Sequence, residues 1–336
     1  MELARPQFLS CCWPSFAAAA RKQLAIHIRQ SCCLIYKTHF ADPFDLQESQ
    51  DVVTIHAASS YAVLATFKPA TTDAQGLRYS PDGNWIAVWD TAAFGYKVLI
   101  YTASGQLYRQ YAGDYFEDEL KGLGVKSIEW SPDSQFLAIG GHDNTVKLLK
   151  AVKVTPAAEL AHAHTVSPSK TAVHVEQVIA AAASNGQLNR MYTSPGAPLG
   201  LPTAEKQAFG ISAMSFNEKG RFLATKHDAY PTTVWIWDLT TQRPHAILVQ
   251  HSAVKKLSWH QSDPDLLLIH CHASESSIYI WDAAGGEVAG APQILSQKDC
   301  GKVSGRAEVN WLAWSSQDHA IVSQENGRCS VIFPEV

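Results

Sequence analysis

The sequence predicts an all-β protein of the β-propeller class. Three observations carry that expectation: a strand–turn–strand phrase that recurs along the chain, a landmark spacing near one four-stranded blade, and an aromatic-rich interior. The 336 residues include ten Trp, eleven Tyr and twelve Phe, which suit a sheet-rich core. With 46% apolar and 17% charged residues, most of the chain has the means to fold, as one large domain or two modest ones.

The phrase is an apolar–x–aromatic strand end, a small polar turn and a second apolar run. It first reads Leu77-Arg78-Tyr79-Ser80-Pro81-Asp82-Gly83-Asn84-Trp85-Ile86-Ala87-Val88. It returns over residues 128–139, around Trp130-Ser131-Pro132-Asp133-Ser134, and over 214–225, around Phe216-Asn217-Glu218-Lys219-Gly220. Weaker copies begin at Leu257-Ser258-Trp259-His260 and Leu312-Ala313-Trp314-Ser315. Alternation at period two buries one strand face, and the Ser-Pro-Asp-Gly chemistry makes a hairpin. A third strand follows each copy, at 97–101, 145–149, 234–237, 278–281 and 329–333. Two of these end in Trp-Asp, at Trp237-Asp238 and Trp281-Asp282, and polar segments such as 102–111 and 239–248 supply a fourth strand.

The landmarks Tyr79, Trp130, Phe216, Trp259 and Trp314 stand 51, 86, 43 and 55 residues apart. A blade takes about 40–45 residues, so 43 is one blade and 51 and 55 are blades with loop insertions. The 86-residue interval holds either a degenerate blade or a long excursion. Its five prolines between 156 and 202 and its lack of a clean phrase favour an irregular insertion around 151–209, with some strand near 172–178. The propeller is therefore expected over 51–336, with about five to six recognisable blades, and either a closed ring or an incomplete, open one fits. Residues 52–56 and 61–67 read as the last two strands of a blade whose first half is missing. Residues 1–50 match no phrase and read as a divergent or misassigned N-terminal segment. Within them, 23–28 and 32–37 alternate enough to pair as a makeshift hairpin, but no blade is expected there.

Composition narrows function. A net charge of −4 without long runs argues against broad nucleic-acid binding. Seven Cys without a regular framework point to a reducing compartment, and no run reaches the roughly 18–20 apolar residues of a membrane span. Arg5 ahead of the apolar run 8–20 imitates a short signal peptide, but Pro14 and the weak basic region speak against one. The adjacent pairs Cys11-Cys12 and Cys32-Cys33 are poorly spaced for zinc, and His270-Cys271-His272 lacks a further ligand, so no metal is expected. No catalytic or cofactor-binding motif is present, and no cofactor is expected. The working surface is instead expected on one rim, where the loops between second and third strands and between blades emerge together. Asp90, Phe94, Tyr96, Asp228 and Tyr230 fall in the first kind of loop, and Tyr115 and Phe116 in an acidic loop of the second kind. Exposed aromatics of this type anchor protein partners, though Tyr115 and Phe116 could equally fold back on the blade edge. Asp143 reads as a turn-stabilising residue.

Residues 136–149 resemble the general WD-repeat consensus, with Asp143 at the turn. An ordered set of further segments is more particular. It comprises Ala74-Gln75-Gly76-Leu77, Ile86-Ala87-Val88-Trp89-Asp90, the runs 96–101 and 124–132, and residues 222–226 with Val234-Trp235-Ile236-Trp237-Asp238. Together these resemble the WD repeat-containing protein 8 family over residues 52–333. That resemblance implies a WD40-type propeller serving as a non-enzymatic scaffold in the cytoplasm, on the cytoskeleton, at the spindle pole body or centrosome. Its implied partners are a coiled-coil spindle-pole anchoring protein and a minus-end-directed kinesin, its implied role microtubule minus-end anchoring and spindle organisation. Neither nucleic acid nor membrane is implied. Family members carry further repeats ahead of the region that begins here near Asp51. Two alternatives stand beside this reading: a propeller enzyme or small-ligand binder using the central channel, and a non-functional fragment of a longer gene.

Overall fold

A computed structural model of the chain describes residues 23–26, 31–38, 50–57, 60, 62–113, 115–116, 119–120, 123–179, 189–204, 209–272, 278–283, 293–295, 309–314, 320–324 and 329–332. Strands follow one another as antiparallel meanders, and each meander is one blade. The first blade joins β1 (Gln23–Ile26), β2 (Ser31–Thr38), β3 (Gln50–Ala57) and β4 (Val63–Phe67). The second joins β5 (Ala74–Tyr79), β6 (Trp85–Asp90), β7 (Val98–Thr102) and β8 (Leu107–Tyr111). After a two-stranded ribbon of β9 (Tyr115–Phe116) and β10 (Glu119–Leu120) comes the third blade. It comprises β11 (Val125–Trp130), β12 (Phe136–Gly141), β13 (Thr145–Lys150) and β14 (Thr155–Ala161).

Next come β15 (Thr165–Val166), β16 (Ala172–Ile179), β17 (Asn189–Thr193) and β18 (Leu199–Gly200). The fourth blade is β19 (Ile211–Phe216), β20 (Phe222–His227), β21 (Thr233–Asp238) and β22 (Arg243–Val249). The fifth is β23 (Val254–Trp259), β24 (Leu266–Cys271), β25 (Ile278–Asp282) and β26 (Gln293–Leu295). A three-stranded sheet of β27 (Val309–Trp314), β28 (Ala320–Gln324) and β29 (Cys329–Ile332) follows. The first strands β1, β5, β11, β19, β23 and β27 lie side by side in that order, so they converge on one axis while later strands fan outward. The fold is all-β, and the sole helix among the described residues is a single 3-10 turn, Ala92–Phe94.

The recurring phrase becomes a recurring hairpin because each copy supplies the same hydrogen bonds. The amides of Gly83, Ser134 and Gly220 each donate to the carbonyl three residues back, on Ser80, Ser131 and Asn217, at 2.9 Å. That closure needs a left-handed residue, and φ is 75° at Gly83, 59° at Ser134 and 66° at Gly220. The Ser80 and Ser131 hydroxyls and the Asn217 side-chain carbonyl then accept from the amides of Trp85, Phe136 and Phe222 at 2.9, 2.8 and 2.9 Å. A β-bulge falls at the start of every pairing between first and second strands from the second blade on, as between Val125 and Ser127 or Ile211 and Ala213. The extra residue twists each inner strand towards the axis.

The landmark aromatics also tie neighbouring blades together. The Trp130 indole donates to the Arg78 carbonyl of the preceding blade at 3.2 Å, and the Trp259 indole to the Ser215 carbonyl at 2.9 Å. Between blades lie separate apolar layers. Ile86 and Val88 face Val53 and Ile55 of the first blade, whereas Ala87 and Trp89 face Val125, Ile128 and Ile139 of the third. The second and third strands are thus buried on both faces rather than one, which corrects the single buried face read from alternation. Every residue of β21 and β24 is buried for this reason. Each fully buried Leu or Ile there contributes about 1.5–3 kcal/mol.

Two segments differ from the reading of the sequence. β1 and β2 do pair, from Gln23↔Ile35 to Ile26↔Cys32, and β2 pairs along β3 from Ser31↔Ala57 to Thr38↔Gln50. Ladder bonding uses the main chain and needs no turn phrase, so the otherwise open edge of β3 takes up this hairpin. Within 151–209, the stretch Thr155–Ala161 is an ordinary fourth strand, β14. Beyond it, β16 lies parallel to β22, from Ala172↔Ala246 to Val175↔Val249, and β17 pairs outside β16. The fourth blade is widened by this hairpin into a six-stranded sheet.

Candidate functional site

The loops that follow each second strand are held against the entry to the same blade's first strand. Thr91 donates to the Asp73 carbonyl, His142 to Gly124, Asp228 to Gly210 and His272 to Ala253, at 2.7–3.0 Å. This places both sets of loops on one rim, and most of the residues singled out from the sequence lie there.

Burial decides what they do. The Asp90 carboxylate is fully buried and accepts from the amides of Thr72, Asp73 and Thr91 at 2.8, 2.7 and 3.0 Å, with the Lys97 ammonium 3.3 Å away. The Tyr96 ring is buried, its hydroxyl donates to Asp143 Oδ2 at 2.7 Å, and Lys147 Nζ sits 4.7 Å from its centre. Burial and the Asp143 carboxylate push that phenol well above its usual range. Asp143 Oδ1 also accepts from the amide and hydroxyl of Thr145 at 3.0 and 2.8 Å, so it shapes its own turn and clasps the preceding blade. Tyr230 is buried among His227, His164 and Trp235, with ring centres 5.4, 5.9 and 5.5 Å apart. Asp90, Tyr96 and Tyr230 therefore hold the rim together and present no side chain to a partner. The reason is that a buried loop must satisfy its own polar groups, and these residues do so.

Asp228 is partly exposed and paired with Lys126 of the third blade and, at 3.7 Å, with Lys226. Burial alone would raise its carboxyl, but the hydrogen bond and charge of Lys126 outweigh this and hold it below the usual carboxylate range. Phe94 ends the 3-10 turn, and Tyr115 and Phe116 form β9 against β10; the side chains of all three lie outside the described residues.

Two exposed residues the sequence reading passed over share this rim. Leu123 is 63% exposed and Phe209 52% exposed. They occupy equivalent places, Leu123-Gly124-Val125 and Phe209-Gly210-Ile211, each just ahead of a first strand on adjacent blades. Gly210, at φ 93°, lets the chain pass so close that a Cβ there would lie 2.6 Å from the Gly141 carbonyl. Gly124, at φ 88°, makes the same approach to Ala92. The repeated apolar–Gly–apolar triplet was the available signal. Lys126 Nζ donates to the Phe209 carbonyl at 2.5 Å, which fixes the backbone that displays the ring.

Beneath the rim runs a buried polar chain. Trp237 Nε1 donates to Thr225 Oγ1 at 2.9 Å, Thr225 Oγ1 lies 2.8 Å from His162 Nε2, and His162 Nδ1 lies 3.1 Å from the Asn144 carbonyl. Burial, reinforced by nearby His227, lowers His162 to about 3, so its ring is neutral. The neutral form with the proton on Nδ1 satisfies all three bonds at once. His270 and Cys271 are buried in β24, and burial and the Glu176 charge push the Cys271 thiol up. Among the described residues no three His, Cys, Asp or Glu side chains are placed to hold a metal ion, and no helix is long and apolar enough to cross a membrane. Cys11 and Cys12 lie outside the described residues, as do the side chains of Cys32 and Cys33.

Comparison with known proteins agrees with this architecture. The family of WD domains, G-beta repeats, matches residues 117–149, which take in β11, β12 and most of β13. Over 299 residues the chain is 30% identical to WD repeat-containing protein WRAP73 of Mus musculus, covering 81% of this chain and 62% of that protein. Over 274 residues it is 24% identical to an uncharacterized WD repeat-containing protein of Schizosaccharomyces pombe, covering 76% of this chain and 54% of the relative. The chain thus spans a little over half the length of the curated relatives it matches.

Proposed function

We infer that this chain, a WD-repeat protein, is a non-catalytic scaffold that grips a protein partner with the loop rim of its third and fourth blades. The observation that carries the reading is the pair Leu123 and Phe209, apolar, exposed and repeated on adjacent blades. Apolar and aromatic side chains displayed on a rigid rim are what partner surfaces use as anchors. The partner we propose is a coiled-coil anchoring protein of the spindle pole body or centrosome, whose apolar helical stripe would cover both side chains. A minus-end-directed kinesin joins the same assembly, and the role is microtubule minus-end anchoring and spindle organisation. Support for that setting comes from the ordered segments between Ala74 and Asp238 that resemble the WD repeat-containing protein 8 family.

The test is affinity purification of the tagged chain from dividing cells, with mass spectrometry, for wild type and for L123D/F209D. Wild type should recover spindle-pole proteins or the kinesin, and the variant should lose them at an unchanged melting temperature. Consistent absence of such proteins from the wild-type sample would sink the spindle-pole assignment. Their retention by the variant would refute the rim as the gripping surface.

A further inference from the structure

On the opposite side of the fourth blade, the loop entering β16 and the turn between β21 and β22 enclose a cleft of about 690 Å³. Half of its wall, Pro168 to Ala172, comes from the inserted segment, and half, Asp238 to His245, from the blade. The two halves are tied together where the Thr171 hydroxyl donates to the Pro244 carbonyl at 3.4 Å and where β16 begins its parallel pairing at Ala172↔Ala246.

The chemistry of the lining is one-sided. Lys170 and Arg243 are exposed at its mouth, and among the described residues neither makes an ion pair. His245 lies deeper, between the rings of Phe222 at 5.0 Å and Trp281 at 6.1 Å, and its Nε2 is buried with no hydrogen-bond partner among the described residues. Three hydroxyls also line it, but they are engaged within the protein: Thr171 and Thr241 donate to the Pro244 and Asp238 carbonyls at 3.4 Å each, and Ser169 is bonded to Ser167 at 2.9 Å. The acidic residue of the wall, Asp238, is already neutralised: Arg221 donates to its Oδ2 at 2.9 Å, and the amide of Thr240 to its Oδ1 at 2.9 Å. What remains is a guanidinium fork and an ammonium at the mouth, with an imidazole deeper in the same wall. That combination suits a tetrahedral dianion, which takes bidentate contacts from Arg and a point charge from Lys.

We propose that this cleft binds a phosphate dianion. The group arrives either on a phosphorylated protein segment or as free phosphate, and the volume is large enough for the segment. The site is separate from the rim of Leu123 and Phe209, so it holds or fails independently of the proposed scaffold role.

The test is fluorescence anisotropy on the full chain, with a fluorescein-labelled peptide carrying one phosphoserine between degenerate positions, its unphosphorylated twin, and inorganic phosphate as competitor. The phosphopeptide should bind saturably and the twin should bind at least tenfold more weakly. K170A/R243A should lose tenfold or more in affinity, while K219A, an exposed cation elsewhere on the blade, should bind as wild type does. R243Q, which keeps a polar surface side chain, serves as the second variant if the double variant does not fold. Inorganic phosphate competing as well as the peptide identifies free phosphate as the source; competition only in large excess identifies a phosphorylated segment. Equal binding of the twin, absence of saturable phosphopeptide binding up to about 1 mM, or unchanged affinity in folded K170A/R243A or R243Q would overturn the proposal.

Discussion

Replacing Thr225 by Val tests the buried chain under the rim with little change of shape. The hydroxyl is fully buried and has two neighbours, the Trp237 indole at 2.9 Å and His162 Nε2 at 2.8 Å. Valine fills the same space but leaves the indole N–H and the imidazole nitrogen without partners in a site water does not reach. Each orphaned buried group costs about 1–3 kcal/mol, part of it returned because the hydroxyl itself is no longer desolvated, so about 3 kcal/mol is expected. Unfolding entropy of about 2.1 cal/mol/K per residue makes that a fall in Tm of about 4 °C for a chain of 336 residues. T225S keeps the hydroxyl and gives up one methyl, at about 1 kcal/mol, and should recover most of the loss. Thermal unfolding followed by near-ultraviolet circular dichroism reads both variants. A T225V melt within about 1 °C of wild type, or a T225S melt as low as T225V, would refute the hydrogen-bonded chain as the source of stability.

Two further perturbations bear on the same architecture. His162 and His270 are lowered by burial to about 3 and about 4, so between pH 6.5 and about 4 the unfolded chain binds protons that the native chain refuses. Stability should therefore fall on acidification through that window, by up to about 1.4 kcal/mol per pH unit for each histidine. Glu129, raised to about 6 by burial, opposes part of this between pH 6 and 4.5; a urea midpoint as high at pH 5.0 as at pH 7.5 would contradict the net sign. G141A puts a Cβ 1.8 Å from the Tyr96 hydroxyl and 2.6 Å from Asp143 Oδ1, which forces the clasp between second and third blades apart. It should cost about 2–4 kcal/mol. Y96F in the same chain should relieve part of that cost, a non-additivity visible in a double-mutant melting cycle.

Much of the propeller was legible because its local signals are chemical. Ser-Pro-Asp-Gly and its variants encode a left-handed fourth residue and a side-chain acceptor, so the hairpins at Ser80, Ser131 and Asn217 could be placed from the sequence. The rim was less legible. Asp90, Tyr96 and Tyr230 have the residue types of a partner surface, but whether such a side chain faces solvent depends on the neighbouring blade. Tyr96 is covered because Asp143, 47 residues away, meets its hydroxyl. Leu123 and Phe209 stayed hidden for the converse reason, since an isolated apolar residue before a glycine looks like core. The hairpin β1–β2 could be read as a pairing but not as part of a blade, because an open strand edge accepts any alternating segment of suitable length, and that demand is made by β3, not by residues 23–38.

The long interval between Trp130 and Phe216 shows how a repeat protein absorbs extra chain. His162 directly follows β14 of the third blade, yet its imidazole is used by Thr225 and Trp237 of the fourth, so the two blades are already joined at residue 162. The described residues from there to Gly210 consequently belong to an excursion within one connection between blades, and a further blade at that point would separate His162 from its partners. The excursion is nonetheless anchored. Glu176 of β16 is buried and accepts from the Tyr279 hydroxyl at 2.9 Å, from the His251 amide at 2.7 Å and from Arg190 of β17 at 3.3 Å. Tyr279 belongs to the fifth blade, so one carboxylate joins the inserted hairpin to its neighbour across the blade boundary. An insertion bonded this way adds a wall to the fourth blade without disturbing the row of first strands, and the cleft lined by Lys170, Arg243 and His245 exists only because that wall is there.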